Sequence, residues 1–321
     1  MMIFRMISQY MALWTLIGAV LAFFQPQLFL IFKPVFLWLF AAAMFGIGVV
    51  LQPQELRMTM REPRQIALGL LTQYSVMPLL GFAAAWLSGL PPALALGLIV
   101  VGCAPGAMAS NVIVYLAGGA VAYSVALTMI ATILSPLATP LLVQWLGGAY
   151  MHIPFFPMMK TIIITVVIPL FLGMLLHRLL RRKQGRYLPL AEGTAPAIAA
   201  ISIIIICSYA VAANQARLDS AFHASTGGLL IGMVISVNLI GYLLGAGLAR
   251  IYGFDRRHQV ALSIEIGMQN AGLGVVLALR HFSPETALPA ALFAVWCVLT
   301  AAVATLWLRH REQKRYADSL P

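Results

Sequence analysis

The chain has 321 residues, of which 62% are hydrophobic and only 9% charged, whereas a soluble domain carries about 25% charged side chains. This excludes an ordinary water-soluble globule and makes the bilayer the expected solvent. The net charge of +11 does not point to nucleic acid, because no basic face is interleaved with aromatics and the positive residues stand between apolar runs.

A helix needs about 20 apolar residues to cross a hydrocarbon core. Ten such runs are predicted in chain order: Ile7 to Phe24, Val35 to Leu51, Ile66 to Leu87, Ala93 to Leu116, Val121 to Leu146, Thr161 to Leu176, Ala195 to Ala213, Leu229 to Leu248, Val260 to Leu279 and Ala287 to Leu308. Arg5 precedes the first run as in a signal peptide, but Leu21-Ala22-Phe23-Phe24 offers no small-residue cleavage pattern, so the run is expected to be retained. With a cytoplasmic amino terminus, ten spans leave only Lys33, Lys160, Arg217 and Arg280 outside, of twenty Lys and Arg residues. That is the positive-inside bias, and it assigns both termini to the cytoplasm. Cys103, Cys207 and Cys297 are scattered in apolar runs without metal or redox spacing.

The connections are short, so residues 1–321 form a single transmembrane domain with no soluble domain left over. A cut in the connection Gly147 to Lys160 leaves five spans on each side, residues 1–150 and 151–321, the second unit carrying the cytoplasmic tail. Because five is odd, the two units enter the membrane in opposite orientations, the arithmetic of an inverted repeat. The fourth run of each unit is interrupted in a matching way. Cys103-Ala104-Pro105-Gly106-Ala107-Met108-Ala109-Ser110-Asn111 breaks the fourth span, and Glu265-Ile266-Gly267-Met268-Gln269-Asn270-Ala271-Gly272 breaks the ninth. Pro105 removes a donor and opposes the preceding turn, while the glycines admit unusual dihedrals. Unpaired backbone cannot face lipid, so two such breaks are expected to share a central cavity.

Glu265 alone among the nine acidic residues lies within a span. A charge at mid-membrane costs at least ~2.5–3.5 kcal/mol, which makes such acids markers of ion or proton pathways. No Lys or Arg lies at comparable depth, so its partner is a bound cation, a proton, or a set of amide and hydroxyl donors. Uncharged oxygens surround it in the pattern: Gln269 and Asn270 follow, Ser110 and Asn111 lie in the partner break, and Ser124 and Thr128 share one helix face. Gln73 interrupts the third span and Asn238 its counterpart, the eighth. Such a set suits Na⁺; a proton would need fewer oxygens. The freed amino ends of broken helices attract anions, which suggests an anionic solute carried with cations.

At both breaks the sequence resembles the bile acid:sodium symporter family, in a bacterial member, through Ala104-Pro105-Gly106 with Ala109-Ser110-Asn111-Val112 and through Glu265-Ile266-Gly267-Met268-Gln269-Asn270. The likeness extends over nearly the whole chain, including Pro289-Ala290-Ala291-Leu292-Phe293 before Trp296. It implies an all-α membrane fold of ten helices, with helices one, two, six and seven as a panel, the others as a core, and the fourth and ninth crossing where they unwind. It implies two Na⁺ sites. One would use Ser110, Asn111, Ser124, Thr128 and Glu265; the other Gln73, Glu265, Gln269 and the carbonyls of Ile266 and Met268. Ala107-Met108 replaces the Gly-Thr of many members, and Cys297-Val298 replaces a His-Asn pair, so polar groups are missing near the expected cavity. The bile-acid label therefore does not transfer, and the resemblance, which includes relatives that carry pantothenate precursors and other 2-keto and 2-hydroxy acids, implies a small carboxylate such as ketopantoate or pantoate as the expected solute. Ala107, Met108, Asn270, Cys297 and Val298 are its candidate contacts.

The expectation is a sodium-coupled importer of a small organic anion in the bacterial inner membrane, working by alternating access, with membrane lipid around it and no obligate protein or nucleic-acid partner. The alternatives are a sodium symporter of bile acids or steroid conjugates, and a proton-coupled organic-anion exporter. An intramembrane enzyme is disfavoured: there is no second intramembrane acid, no His-Glu-x-x-His, and all six histidines are placed in connections or tails.

Overall fold

The computed structural model describes residues 11–51, 62–182, 187–216, 225–297 and 299–300. Regular structure among them is helical. α1 (Met11–Phe24) and the single turn α2 (Gln27–Leu30) lead to α3 (Phe36–Val50). α4 (Pro63–Ser88) starts on a proline, whose missing N–H is harmless in a first turn, and stops at Gly89, which takes the left-handed φ of 60° that favours glycine. The predicted fourth span is two pieces, α5 (Pro92–Gly102) and α6 (Ser110–Leu116), followed by α7 (Val121–Gly147).

α8 (Phe155–Ile162) passes through a π-helical turn at Ile163–Val167 into α9 (Ile168–Arg182), and α10 (Leu188–Ala212) and α11 (Ser225–Ile251) follow. The ninth run is again two pieces, α12 (Arg256–Gly267) and α13 (Ala271–His281), and α14 covers 284–297. Several expected boundaries shift. The seventh run begins at Leu188 rather than Ala195, which takes Glu192, expected in a connection, into α10, and the ninth begins at Arg256 rather than Val260. The sixth run begins at Phe155 rather than Thr161, because Pro157 falls in the first turn, where it interrupts no intrahelical bond. His177, expected in a connection, belongs to α9 and is buried, its Nδ1 lying 2.7 Å from the Val49 carbonyl.

Among the described residues, five helices are long and apolar enough to cross a membrane: Pro63–Ser88, Val121–Gly147, Phe155–Arg182, Leu188–Ala212 and Thr226–Ile251. Leu13–Phe24, Phe36–Val50, Pro92–Gly102 and Ala271–His281 are shorter apolar helices. Leucines such as Leu172, Leu175 and Leu243 stand exposed on the outside, and Trp38, Trp86 and Trp145 are exposed near helix ends, where amphipathic rings anchor a span at the interface. The chain is a multi-pass, all-α membrane protein.

Two packing groups position the site. α3 lies between α9 and α10, and α10 also packs on α1. The α3–α9 contact is backbone to backbone: a Cβ on Gly48 would overlap the Leu170 carbonyl, and one on Gly173 would overlap that of Phe45. In the second group, α4 packs against α5, α7 and α11, and α11 against α12. Where no hydrophobic effect separates helix from lipid, such close approach is what holds helices together.

Candidate functional site

Both breaks are real interruptions of the helical ladder, and they meet. α5 ends at Gly102 and α6 begins at Ser110, while α12 ends at Gly267 and Asn270 restarts α13 as its N-cap, its side chain accepting from Leu273 N at 3.1 Å. The two unwound segments run antiparallel across a bridge between Gly106 and Gln269. Ala107 N donates to the Met268 carbonyl at 2.9 Å, and Asn270 N to the Pro105 carbonyl at 2.8 Å. Each break thus satisfies backbone groups that the other would leave bare in a medium without water.

Glu265 projects from the last turn of α12 into this junction and is 1% exposed. Ser110 Oγ donates to its Oε2 at 2.5 Å, Ser124 Oγ lies 3.0 Å from the same oxygen, and the Thr128 hydroxyl donates to Oε1. Hydrogen bonds to a charged acceptor contribute ~1.5–3 kcal/mol each, enough for three to offset the ~2.5–3.5 kcal/mol lower bound on placing the group at this depth. The hydroxyls, however, are over-subscribed. Ser124 Oγ also lies 2.7 Å from Asn111 Oδ1, and Thr128 Oγ1 lies 2.9 Å from the Ser124 carbonyl and 3.4 Å from Asn111 Oδ1. Three hydroxyl hydrogens therefore face four acceptor oxygens, one of them a helix carbonyl, and the oxygens left with spare lone pairs are of the kind that a small hard cation takes as ligands.

A second group of oxygens lies along the break. Gln73 Nε2 donates to Gln269 Oε1 at 2.8 Å and to the Ala104 carbonyl at 3.2 Å, and Gln269 Nε2 donates to the Ile266 carbonyl at 2.8 Å. Gln73 Oε1 is buried and has no partner among the described residues, an acceptor whose burial without one would cost about 1–3 kcal/mol. The structure thus brings Ser110, Ser124 and Thr128 to Glu265, Asn111 to Ser124 and Thr128, Gln73 to Gln269, and Gln269 to Ile266. No hydrogen bond among the described residues joins Glu265 to Gln73 or Gln269, and the Met268 carbonyl is already engaged by Ala107. Nor do the described residues contain a cluster of three His, Cys, Asp or Glu able to hold a metal ion; the donor set here is one carboxylate among neutral oxygens, which selects hard cations.

Beside these oxygens lies a half-open cavity of about 360 Å³ between the two packing groups. Its wall is aliphatic where Met44, Ile47, Val50 and Ile203 line it and polar where Asn111, Gln269 and Asn270 do. Ala107, Met108, Asn270 and Cys297 line it as predicted, while Val298 lies outside the described residues. The aliphatic liners were not singled out, since an apolar residue in an apolar span carries no signal of facing a cavity. Thr139, whose hydroxyl donates to the Cys103 carbonyl at 2.8 Å and so ties off a carbonyl freed at the first break, was missed as well. A lone Thr in a span is its only mark.

Comparison with known proteins follows this geometry. The model of the Sodium Bile acid symporter family matches residues 36–221. The chain is 36% identical over 309 residues to the sodium-dependent transporter YocS of Bacillus subtilis (strain 168), covering 96% of this chain and 94% of that protein. It is 33% identical over 308 residues to the probable sodium/metabolite cotransporter BASS1, chloroplastic, of Arabidopsis thaliana, covering 94% of this chain and 74% of the relative. Against the ileal sodium/bile acid cotransporter of Oryctolagus cuniculus the identity is 28% over 267 residues, 82% of this chain and 74% of the other.

Proposed function

The chain belongs to the sodium bile acid symporter family, and from that premise we propose that it imports a small organic anion, a monocarboxylate such as ketopantoate or pantoate, together with two sodium ions. The family and its relatives are sodium-coupled transporters rather than enzymes. The observation that carries the reading is the oxygen cluster on Glu265, with more acceptors than hydrogens, sharing Asn111 with the wall of the cavity.

In this reading one ion sits among Ser110, Asn111, Ser124, Thr128 and Glu265. The other sits among Gln73, Gln269, Glu265 and the carbonyls of Ile266 and Met268, where the unpartnered Gln73 oxygen supplies a ligand. The solute occupies the cavity with its carboxylate toward Asn270 and the amino end of α13, and its alkyl body against the aliphatic wall. Asn111 and Gln269 face both compartments, so filling the ion sites orients the amides that the solute meets. Ten spans in two inverted repeats supply the moving parts: α1, α3, α9 and α10 form a panel, and the remaining helices a core carrying the breaks. Both termini lie in the cytoplasm of a bacterial inner membrane, which makes the cavity inward-facing because Leu51 and Pro196 line it. Two Na⁺ entering with one monoanion move a net positive charge, gaining ~2.3 kcal/mol per 100 mV of membrane potential.

Uptake into proteoliposomes tests this. Glu265→Ala and Gln269→Ala should each abolish sodium-driven uptake while the purified variants keep the melting profile of the parent; full transport by Glu265→Ala would refute the ion assignment. Replacing sodium by choline at fixed pH should stop wild-type transport, whereas a proton-coupled exporter would be unaffected. Labelled pantoate, ketopantoate and a bile acid assayed side by side should give saturable uptake of the small acids.

A further inference from the structure

Asn238 is fully buried in α11, at the position in the second half that matches Gln73 in the first. Both amides do the same thing to a broken helix: Gln73 Nε2 reaches the Ala104 carbonyl at 3.2 Å, and Asn238 Nδ2 reaches the Gly267 carbonyl at 2.8 Å. They differ at the other end. Gln73 Oε1 has no partner among the described residues, while Asn238 Oδ1 lies 2.9 Å from the Thr300 hydroxyl, which also lies 3.1 Å from the Trp296 and Cys297 carbonyls. One amide thus retains an oxygen for a ligand, and the oxygen of the other is met by a hydroxyl of the protein.

The second amide controls where a neighbouring carbonyl points. Past the end of α12 the chain is extended at Met268, with φ −107° and ψ 103°, and in extended backbone successive carbonyls face opposite ways. Drawing the Gly267 carbonyl toward α11 therefore turns the Met268 carbonyl toward the opposite break, where Ala107 N meets it at 2.9 Å, while the Ile266 carbonyl, still within α12, accepts from Gln269 Nε2. Tyr242, one turn after Asn238, reinforces this: its ring occupies the space a Cβ on Gly267 would need, and its hydroxyl lies 3.4 Å from the Cys297 carbonyl. Without the clamp, the Gly267 carbonyl would be a buried acceptor lacking the amide that now fixes its direction.

We propose that Asn238, held by Thr300, is a positioning residue for the sodium site at the ninth-span break: it touches neither ion nor solute and sets the direction of the Met268 carbonyl. This rests on the sodium reading above. The experiment measures the sodium concentration giving half-maximal uptake, and the solute KM at saturating sodium, for the wild type, Asn238→Ala, Thr300→Val and Thr300→Ser in proteoliposomes. Removing one hydrogen-bond partner of a buried carbonyl should raise the sodium half-saturation of Asn238→Ala about tenfold, with the solute KM changed by less than about twofold. Thr300→Val should move sodium half-saturation in the same direction by a smaller factor, and Thr300→Ser, which keeps the hydroxyl, should restore the wild-type value. Unchanged sodium half-saturation in Asn238→Ala, or an equal loss of affinity for sodium and solute, would overturn the proposal even though sodium dependence of the wild type stands. Should Asn238→Ala fail to fold, the Thr300→Val and Thr300→Ser pair decides: identical sodium curves for the two reject the clamp. Sodium-independent uptake by the wild type would instead reject the underlying ion reading, and the clamp with it.

Discussion

Gly106 is the residue against which the Glu265 carboxylate rests. A Cβ built there would lie 2.5 Å from Glu265 Oε1 and 3.1 Å from its Cδ, and the carboxylate cannot swing away cheaply because the hydroxyls of Ser110, Ser124 and Thr128 hold it. Gly106→Ala should therefore push Oε1 off the Thr128 hydroxyl. Overpacking of this kind costs ~1–3 kcal/mol, equivalent to a rise of roughly five- to 150-fold in sodium half-saturation. Sodium titration of uptake checks it, and Ser110→Ala, which removes one hydroxyl and adds no volume, should give a smaller rise. Glu265, Ser124 and Thr128 were legible in the sequence because an acid in an apolar run is conspicuous and a four-residue spacing fixes a shared helix face. Gln73 was named as an ion ligand only through the family resemblance and Asn238 was given no role, since as bare residues two amides in apolar spans read alike. What separates them is whether a hydroxyl from another span caps the oxygen, and Thr300 stands far from Asn238 in the chain.

α12 is anchored at its start by Asp255, an N-cap whose Oδ1 accepts from His258 N at 2.9 Å, and the hydrogen bond from that backbone amide holds its pKa below the usual carboxylate range. A depressed carboxylate pKa contributes stability that is present above the unfolded pKa of about 3.9 and lost as pH falls through the lower folded value. The side chain is largely exposed, so the contribution is at the small end of the ~0.5–2 kcal/mol range for caps. Asp255→Asn should keep the cap while removing its acid sensitivity. Melting temperatures of the detergent-solubilised protein across acidic pH should fall less steeply for that variant, and Asp255→Ala should melt lower at neutral pH. Element boundaries were readable wherever proline or glycine punctuates the chain, as at Pro63, Gly89 and the two breaks. They were misplaced at α8 and α9, where Pro157 reads as a stop although it opens a helix, and where His177 reads as a connection although a backbone carbonyl receives it.

The two packing groups are joined by hydrogen bonds at the end away from the cavity. Thr161 Oγ1 lies 2.8 Å from His281 Nε2, linking α8 to α13, and Asn214 Nδ2 donates to the Pro284 carbonyl at 2.7 Å just beyond α10, while Pro196 and Ala199 line the cavity near that helix's other end. If the groups rock against each other, these links must open in each cycle. Asn214→Cys combined with Pro284→Cys, in a background with Cys103, Cys207 and Cys297 replaced, should be bridged by a short reducible bis-thiol-reactive reagent that stops uptake until it is cleaved; undiminished transport by the cross-linked protein would rule out that motion. The cavity was only half legible, because its polar corner is drawn by Asn111, Gln269 and Asn270 whereas its aliphatic wall is assembled from helices whose register the sequence does not display. The exchange of backbone bonds between Pro105–Ala107 and Met268–Asn270 carries one more consequence. Each half of the chain completes the other's main-chain valences, as two strands of a minimal ribbon do, so neither half is a finished object. Severed halves expressed from separate genes should accumulate and load sodium only when produced in the same cell.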